Sequence, residues 1–486
     1  MIKRLSTSGA LVLLIILGFG IKGWYIDETG IGTDESFSIY SAQATIAQII
    51  TALNKGDNPP LWEIILHYWN SVWGVSLFAS RVLSLVFNVL TVIPLYFIGE
   101  RYVGRHVGLV ASILFLFSSF GLFIAHEARV YSLIGLLVTT SSLLFLSLRE
   151  NPYRLRTHFL LAVVNMLIFY GHYLGVWIII IQLFSLALIP SFRSSLQKKH
   201  VFQYILLGIL CVPQLPTIWQ RLMTSGTDGT WISKSEGIAD LYYMILKYSN
   251  APVLAVLFIL LSLAAIVYAF TKRDKFSTII YLTFWLWVPL ILSFLLSYQT
   301  GFFLDRYFYF VTPALYLLAA SCIHMALSSI NIAKWSAYSL LSIGMLSGLK
   351  LHSSEMRYSG YHKDVRPLSK MMVKHLKQEN TAVIITPEWF AKDIVYYYDY
   401  ELFTSYFDEF KNQAKFKAPL KKLNIYCTSA AIASSKLAIY DKILMIDENQ
   451  NNVYLTDAIQ VELDNNFHLD SAYVKETRRI FQYTHK

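Results

Sequence analysis

Residues 8–26 read SGALVLLIILGFGIKGWYI, and residues 33–36 follow shortly after as TDES. The first stretch is apolar and long enough to cross about 30 Å of hydrocarbon as a helix. No small-residue cleavage site precedes Trp24, so we interpret the stretch as a membrane helix and not as a signal peptide. The second stretch places two adjacent carboxylates, Asp34 and Glu35, directly after this span.

The composition extends the membrane pattern to most of the chain. Hydrophobic residues make up 55% and charged residues 15%, whereas soluble domains carry about a quarter charged residues. Repeated apolar runs predict about eleven spans between residues 8 and 351. The net charge of +10 does not indicate nucleic acid, because most of the excess Lys and Arg lies in short loops between spans. The scattered cysteines, Cys211, Cys322 and Cys427, predict neither a disulfide framework nor a metal site.

The basic loops set the predicted orientation. Lys3, Arg4 and the loops 101–105, 149–156, 193–199 and 272–275 share one side if the N-terminus is cytoplasmic, as the positive-inside rule predicts. This assignment requires a hairpin that turns at 171–173, because a single helix over 157–190 would separate two basic loops. The opposite, outer side receives the polar segments, which are the loop 27–79, the turns 125–129 and 171–173, the loop 220–250, the approach 299–306 and the tail.

The tail after residue 351 differs from the rest of the chain. It is close to neutral and mixes polar stretches with strand-like runs at 382–385, 423–426 and 443–446. We therefore predict a polytopic α-helical membrane domain over 1–351 and a small extracytoplasmic α/β domain over 352–486. The apolar residues between Phe37 and Leu53, in the first outer loop 27–79, predict a helix that lies in the membrane interface.

The acidic pair permits two interpretations. Asp34 and Glu35 could cap an interfacial helix, since Asp is a favoured N-cap residue. Alternatively, one carboxylate is a general base near the membrane surface, and the other orients it or binds a cation. Adjacent carboxylates also repel each other, which can raise the pKa of one of them into a useful range.

Two arginines stand at predicted span starts, where the helix dipole disfavours a cation. They are Arg129, in the first turn of the fourth span, and Arg306, at the start of the tenth. One interpretation pairs each with its neighbour, Arg129 with Glu127 and Arg306 with Asp305. The other is that one or both bind a phosphate group at the membrane surface. Tyr131 is four residues after Glu127 and shares its helix face.

Two polar turns also permit two interpretations each. Asn58 precedes Pro59 and Pro60, a sequence typical of a stiff turn that could also present Asn58 as a hydrogen-bonding group. His172 is either a polar residue of the hairpin turn or a ligand for sugar or pyrophosphate-like oxygens.

Taken in order, these motifs resemble the family 39-type glycosyltransferases, C-fold membrane enzymes related to protein O-mannosyltransferases and aminoarabinose transferases. In the tail, residues 361–366 are similar to a stretch that opens the soluble domain of bacterial members, although Val365 replaces a Trp. Asn58 stands where the family has a His. Over residues 1–320 the resemblance rests on Asp34-Glu35, Asn58-Pro59-Pro60-Leu61, Glu127-Ala128-Arg129-Val130-Tyr131-Ser132-Leu133, Gly171-His172-Tyr173, and Asp305-Arg306-Tyr307 with Pro313.

The resemblance implies a polyprenyl-phosphate-linked sugar donor and an acceptor hydroxyl of a protein, lipid or polysaccharide on the outer face. Asp34 matches the family's catalytic carboxylate and Glu35 its neighbour. As general base, Asp34 would take the acceptor's proton in a single inverting displacement, while Arg129 and Arg306 stabilise the leaving phosphate. A divalent cation on Asp34 or Glu35 is compatible with this scheme. The remaining expected substrate-binding residues are Asn58, Glu127, Tyr131, His172, Asp305 and Tyr307.

The expected location is the bacterial inner (plasma) membrane, among membrane lipids. The principal alternative function is a transporter or flippase for a lipid-linked or polyanionic substrate. Such proteins usually carry ionisable residues near mid-bilayer and show repeated halves, whereas the charges here cluster at span ends and no repeat is evident. A non-enzymatic scaffold with an outer sensor domain would not need the ordered polar turns.

Overall fold

The computed structural model describes residues 6–54, 56, 58–228, 232–351, 364–405, 419–427, 434–448, 457–475 and 478–486. The chain divides into two compact units. The first, the membrane unit, comprises Met1–Ile26, Leu53–Trp62 and Ser80–Met356. The second, the loop–tail unit, comprises Asp27–Ala52, Glu63–Ala79 and Arg357–Lys486. Two segments of the first loop are thus grouped with the tail.

Helices account for most of the described chain, and a helix lies at every predicted span. This is expected, because a helix satisfies the backbone hydrogen bonds of an apolar segment internally. In chain order the α-helices are α1 (Thr7–Lys22), α2 (Thr33–Ser41), α3 (Ile46–Leu53), α4 (Leu61–Trp73), α5 (Leu77–Leu90), α6 (Val92–Tyr102), α7 (Arg105–Leu116), α8 (Ser119–Ala125), α9 (Tyr131–Glu150), α10 (Leu155–Gly171), α11 (Trp177–Leu188), α12 (Pro190–Ser194), α13 (Lys198–Cys211), α14 (Leu215–Asp228), α15 (Ala239–Tyr248), α16 (Pro252–Thr271), α17 (Arg273–Ser297), α18 (Thr312–Ala326), α19 (Asn331–Ser347), α20 (Arg366–Leu376), α21 (Ala391–Tyr398), α22 (Tyr400–Ser405) and α23 (Asp457–Asn466).

The membrane unit contains helices that can cross a bilayer. Within the described ranges, 6 continuous helical segments are long and apolar enough, and α7 with α8 makes a further candidate that is bent by 66°. Shorter apolar helices are α1, α10 and Tyr173–Leu188. The chain is an integral membrane protein, and its orientation in the membrane stays a prediction. The six segments are Leu77–Tyr102, Tyr131–Glu150, Lys198–Arg221, Pro252–Thr271, Arg273–Ser297 and Asp305–Ala326.

Small and polar residues explain where one pair of membrane helices bends and where another pair packs closely. The bend between α7 and α8 lies at Ser118, whose hydroxyl accepts a hydrogen bond from the Gly121 N–H at 3.0 Å and so caps α8. Helices α6 and α7 pack closely because Gly99 meets Gly108. A Cβ on Gly99 would lie 2.4 Å from the Gly108 Cα, so no larger residue fits there.

The predicted hairpin at 157–190 is confirmed. His172 adopts an extended conformation that ends α10, and a 3₁₀ turn (Tyr173–Val176) leads into α11. Asn165 of α10 donates to the Gln182 side chain of α11 at 2.9 Å. Gln182 donates to the Ser141 hydroxyl of α9 at 2.7 Å, and Ser141 donates to Asn165 at 2.6 Å. This closed, buried ring joins three helices.

We expect Asn165→Leu to lower the free energy of unfolding by about 1–2 kcal/mol, because it leaves the Gln182 and Ser141 side chains buried with fewer partners. Denaturant unfolding in detergent measures the change. Ser185→Ala is the matched control, since the buried Ser185 hydroxyl on α11 has no hydrogen-bond partner among the described residues. Equal losses in the two variants would contradict a role for the ring.

In its described residues, the first loop (27–79) contains three helices that lie wholly within it. The single helix predicted between Phe37 and Leu53 is wrong, because α2 ends at Ser41 and α3 begins at Ile46. Helix α4 follows after the Pro59-Pro60 turn. The described part of the loop is therefore largely helical.

The tail contains the predicted α/β fold. Its five-stranded sheet has the order β2-β1-β3-β5-β4, in which β1 pairs parallel with β2 and β3, and β5 pairs antiparallel with β3 and β4. The runs at 382–385 and 443–446 are strands as predicted, whereas that at 423–426 forms a strand only from Ile425. Buried Ile384, Met445, Leu463 and Phe467 belong to its core. The strands are β1 (Thr381–Thr386), β2 (Ile425–Cys427), β3 (Lys442–Glu448), β4 (Phe467–Lys475) and β5 (Arg478–His485).

Candidate active site

Both arginines lie close to the N-terminal ends of membrane helices, and Arg306 lies at the start of its span, as the sequence predicts. Arg129 falls in the loop between α8 and α9, two residues before α9 begins, so the prediction of a first-turn position is wrong. Arg306 is the second residue of a 3₁₀ helix (Asp305–Val311) that leads into α18. Their exposed fractions are only 5% and 2%. Buried guanidinium groups at helix N-termini require anionic partners.

Side-chain contacts to the backbone fix the loop that carries Arg129. The Trp62 indole donates to the Ala128 carbonyl at 3.1 Å, and the His126 Nε2 lies 2.6 Å from the Lys22 carbonyl. Both contacts are buried. A loop held in this way presents Arg129 from a defined backbone.

The ion pairs of this region join distant turns. The Arg306 guanidinium lies 3.1 Å from the Glu127 carboxylate, and both side chains are 2% exposed. The Asp305 carboxylate pairs with the Lys247 ammonium and also accepts the Arg306 backbone N–H at 2.7 Å. The local pairing considered from the sequence therefore does not describe Arg306, whose carboxylate partner Glu127 lies 179 residues away.

Aromatic rings surround Arg306. Its guanidinium carbon lies 5.6 Å from the Tyr131 ring centre and 5.9 Å from that of Tyr307, within cation–π range. The His172 ring centre is 5.9 Å from Tyr131 and 5.1 Å from Tyr307. The structure thus brings together most of the predicted residues of the membrane unit. We call the group Glu127, Arg129, Tyr131, His172, Lys247, Asp305, Arg306 and Tyr307 the arginine cluster.

His172 supplies an uncharged polar group to this cluster. It lies between α10 and the following turn, outside both helices. Burial, together with the positive charges of Arg129 and Arg306, lowers the pKa of its imidazole to about 3. The ring is therefore neutral at physiological pH and can donate or accept a hydrogen bond. Within the described part of the chain, its Nδ1 has no hydrogen-bond partner.

Sequence reasoning missed Lys247 and Tyr248, which end α15. Besides the Lys247 ion pair, the Tyr248 hydroxyl donates to the Asp305 carbonyl at 2.8 Å and fixes the start of the 3₁₀ helix. The available signal was a lysine on the predicted outer side, where the positive-inside rule expects few.

Asn58 belongs to a neighbouring group of contacts. Arg221 donates to the Leu53 carbonyl at 2.7 Å and to the Asn58 carbonyl at 3.4 Å, and its guanidinium lies 5.0 Å from the Tyr173 ring centre. Gln214 also donates to the Tyr173 hydroxyl, at 3.0 Å. The Asn58 turn is thus held through its backbone, as expected of a rigid turn. Asp57, its predicted turn partner, lies outside the described residues.

The acidic pair lies in the first turn of α2, in the loop–tail unit. The Glu35 carboxylate accepts the Gly32 N–H at 3.0 Å and is 1% exposed, so Glu35 caps the helix. Asp34 is only half-buried. The Ser38 hydroxyl of the same helix donates to the Glu63 carboxylate of α4 at 2.8 Å. Of the pair, Asp34 is therefore the more accessible carboxylate.

In the described ranges, no group of three or more His, Cys, Asp or Glu side chains could hold a metal ion. A divalent cation bound by Asp34 or Glu35 stays a prediction.

The chain is similar to one protein family and to solved structures of membrane proteins. Residues 57–219 match the family described as dolichyl-phosphate-mannose-protein mannosyltransferase. ArnT from Cupriavidus metallidurans has a similar structure both without ligand (TM-score 0.60, 11% identity) and bound to undecaprenyl phosphate (TM-score 0.57, 10% identity). Each match covers 98% of both chains. The chain is a C-fold membrane glycosyltransferase.

A second kind of C-fold enzyme is also similar. The archaeal oligosaccharyltransferase AglB from Archaeoglobus fulgidus, in complex with an inhibitory peptide and a dolichol-phosphate, matches with a TM-score of 0.52 and 10% identity. That match covers 90% of this glycosyltransferase and 69% of AglB. No curated protein matches the glycosyltransferase in sequence. The family match includes Arg129 and His172, whereas Asp34 and Arg306 lie outside it.

Proposed function

We propose that this glycosyltransferase moves a sugar from a polyprenyl-phosphate donor to an acceptor hydroxyl, with inversion at the anomeric carbon. The arginine cluster carries the proposal, because buried guanidinium groups at the ends of membrane helices suit a phosphate on a lipid chain. Two proteins of similar fold are described with undecaprenyl phosphate and with a dolichol-phosphate, which supports this class of donor.

The proposed chemistry is a single displacement. The acceptor oxygen attacks the anomeric carbon while the bond from that carbon to the phosphate oxygen breaks. The electron pair leaves with the lipid phosphate, and Asp34 takes the proton of the acceptor hydroxyl as general base. Arg129 and Arg306 stabilise the negative charge that develops on the phosphate, and this stabilisation is strongest where water is excluded.

The remaining predicted residues are proposed to bind the donor or to orient the arginines. Tyr131, Tyr307 and neutral His172 offer apolar ring faces and hydrogen-bonding groups for a sugar ring. Glu127 and Asp305 hold Arg306 by its guanidinium and its backbone, respectively. We further propose that Asn58 presents its amide to the substrate from the turn that Arg221 fixes.

The location of the reaction is part of the proposal. The basic loops favour a cytoplasmic N-terminus, which puts α2 and the tail on the outer face of a bacterial inner membrane. The acceptor would then be a protein, lipid or polysaccharide on that face. Transport is the weaker alternative, since the family match and the fold are those of glycosyltransferases.

A transfer assay tests the proposal. Full-length protein in proteoliposomes should transfer radiolabelled sugar from undecaprenyl-phosphate sugar to an acceptor fraction, and NMR of the product should show the opposite anomer from the donor. The matched arm supplies the same sugar linked to a nucleoside diphosphate, and we expect no transfer from this donor. Equal use of the nucleotide sugar, or retention of anomeric configuration, would contradict the proposal. Movement of labelled lipid across the bilayer without transfer would instead indicate a flippase.

A further inference from the structure

Helix α21 of the tail forms hydrogen bonds with α2, the helix that carries Asp34. Asp393, in the first turn of α21, is fully buried and accepts hydrogen bonds from the Thr33 hydroxyl at 2.7 Å and from the Ser36 hydroxyl at 2.5 Å. Hydrogen bonds from hydroxyl groups to an ionised carboxylate are about twice as strong as those between neutral groups. The two hydroxyl groups flank Asp34 in the sequence.

Lys392, which precedes Asp393 in α21, contacts the same face of α2. The Lys392 ammonium lies 5.5 Å from the ring centres of Phe37 and Tyr40. The contacted positions 33, 36, 37 and 40 follow the spacing i, i+3, i+4 and i+7, which is one stripe of an α-helix. Asp34 lies beside this stripe, about 100° around the helix from Thr33. The tail therefore contacts one face of α2, and Asp34 lies next to that face and not on it.

The segment before α2 is held by the tail as well. The Tyr397 hydroxyl accepts the Ile31 N–H at 2.9 Å, and Arg366 donates to the Glu28 carbonyl at 2.7 Å. Gly30 passes so close to Asp364 that a Cβ would lie 2.8 Å from its carboxylate oxygen. The backbone on the N-terminal side of Asp34 is thus fixed at three points.

We propose that Asp393 is a positioning residue for Asp34, so that the tail sets the rate of the proton-transfer step. The inference rests on the proposed role of Asp34 as general base. Asp393 anchors the first turn of α2 through two charge-assisted bonds, and loss of that anchor lets Asp34 depart from its working position. A misplacement of about 1 Å can lower the rate of an enzyme by about 10²-fold.

The test compares variants of the full chain in proteoliposomes with undecaprenyl-phosphate sugar as donor. We expect Asp393→Ala to lower kcat by about 10–100-fold and to leave KM for the donor within about twofold. Asp393→Asn keeps the shape and one acceptor, so its loss should be smaller. Ser36→Ala combined with Asp393→Ala should lower kcat no further than Asp393→Ala alone, because the two groups act through one contact.

Asp447→Asn is the matched control. Asp447 is likewise a buried carboxylate of the tail, but it pairs with Arg479 within the sheet, at 2.6 Å. We expect a wild-type kcat for this variant. Hydrogen exchange supplies a second readout: the amides of α2 should exchange at least about tenfold faster in Asp393→Ala, while those of β3 stay unchanged.

The outcomes separate this inference from the proposed function. If the wild type transfers sugar, Asp34→Asn does not, and Asp393→Ala has the wild-type kcat, the positioning role is overturned and the proposed function stands. A loss in Asp447→Asn equal to that in Asp393→Ala also overturns it, since any damage to the tail would then suffice. If the wild type fails to use the donor, the proposed function fails. In that case the exchange experiment still tests the contact, because unchanged exchange of the α2 amides in Asp393→Ala would show that Asp393 does not anchor α2.

Discussion

Replacing Asp34 with asparagine is expected to lower the rate of sugar transfer on the order of 10³-fold, within the range that general acid–base catalysis contributes. Asparagine has nearly the same shape as aspartate, but its amide cannot take the proton of the acceptor hydroxyl. The measurement is single-turnover transfer at saturating donor, so that the chemical step is observed. Binding of undecaprenyl phosphate, measured separately, should be unchanged.

Glu35→Gln provides the comparison, because Glu35 is the adjacent carboxylate and caps α2 through the Gly32 N–H. A glutamine oxygen can still accept that hydrogen bond, so we expect a much smaller loss of rate than for Asp34→Asn. Near-wild-type transfer by Asp34→Asn would refute the base assignment. A loss in Glu35→Gln as large as that in Asp34→Asn would instead make Glu35 a second catalytic group, as the sequence allows.

The membrane helices were predictable because their signal is local. An apolar run has one way to satisfy its backbone in a bilayer, so hydropathy alone located helices such as α16 and α17. The buried strands β1 and β3 were found for a similar reason, since each is a short continuous apolar run. The break between α2 and α3 was missed because the apolar spacing over 37–53 is only roughly helical.

The contacts that build the candidate site were not predictable, because they join residues far apart in the chain. Ser36 and Asp393 are 357 positions apart, and Lys247 and Asp305 are 58 apart. No local pattern marks such partners. A single carboxylate in an amphipathic helix, such as Asp393 in α21, resembles a solvent-exposed residue in the sequence. The ordered motifs indicated the residues of the arginine cluster but not how they pair.

Arg306→Ala is expected to lower kcat/KM for the lipid-phosphate donor by about 10²–10³-fold, as removal of one charge-stabilising donor does in other active sites. Arg306→Lys keeps the charge but loses the planar fork that matches phosphate and stacks on Tyr131 and Tyr307. We therefore expect lysine to recover only part of the loss. Steady-state kinetics with varied donor concentration measure both effects. An unchanged kcat/KM in Arg306→Ala would remove this residue from the donor site.

The loss in Arg306→Ala could also arise from Glu127, which is buried and loses its partner. Breaking a buried ion pair by removing one member typically destabilises a protein by about 3–5 kcal/mol, much more than replacing both members by neutral groups. The double variant Arg306→Gln with Glu127→Gln therefore separates the two causes. If Arg306 acts on the phosphate, the double variant should recover thermal stability while transfer stays low. Recovery of transfer together with stability would show that Arg306 serves only to neutralise Glu127.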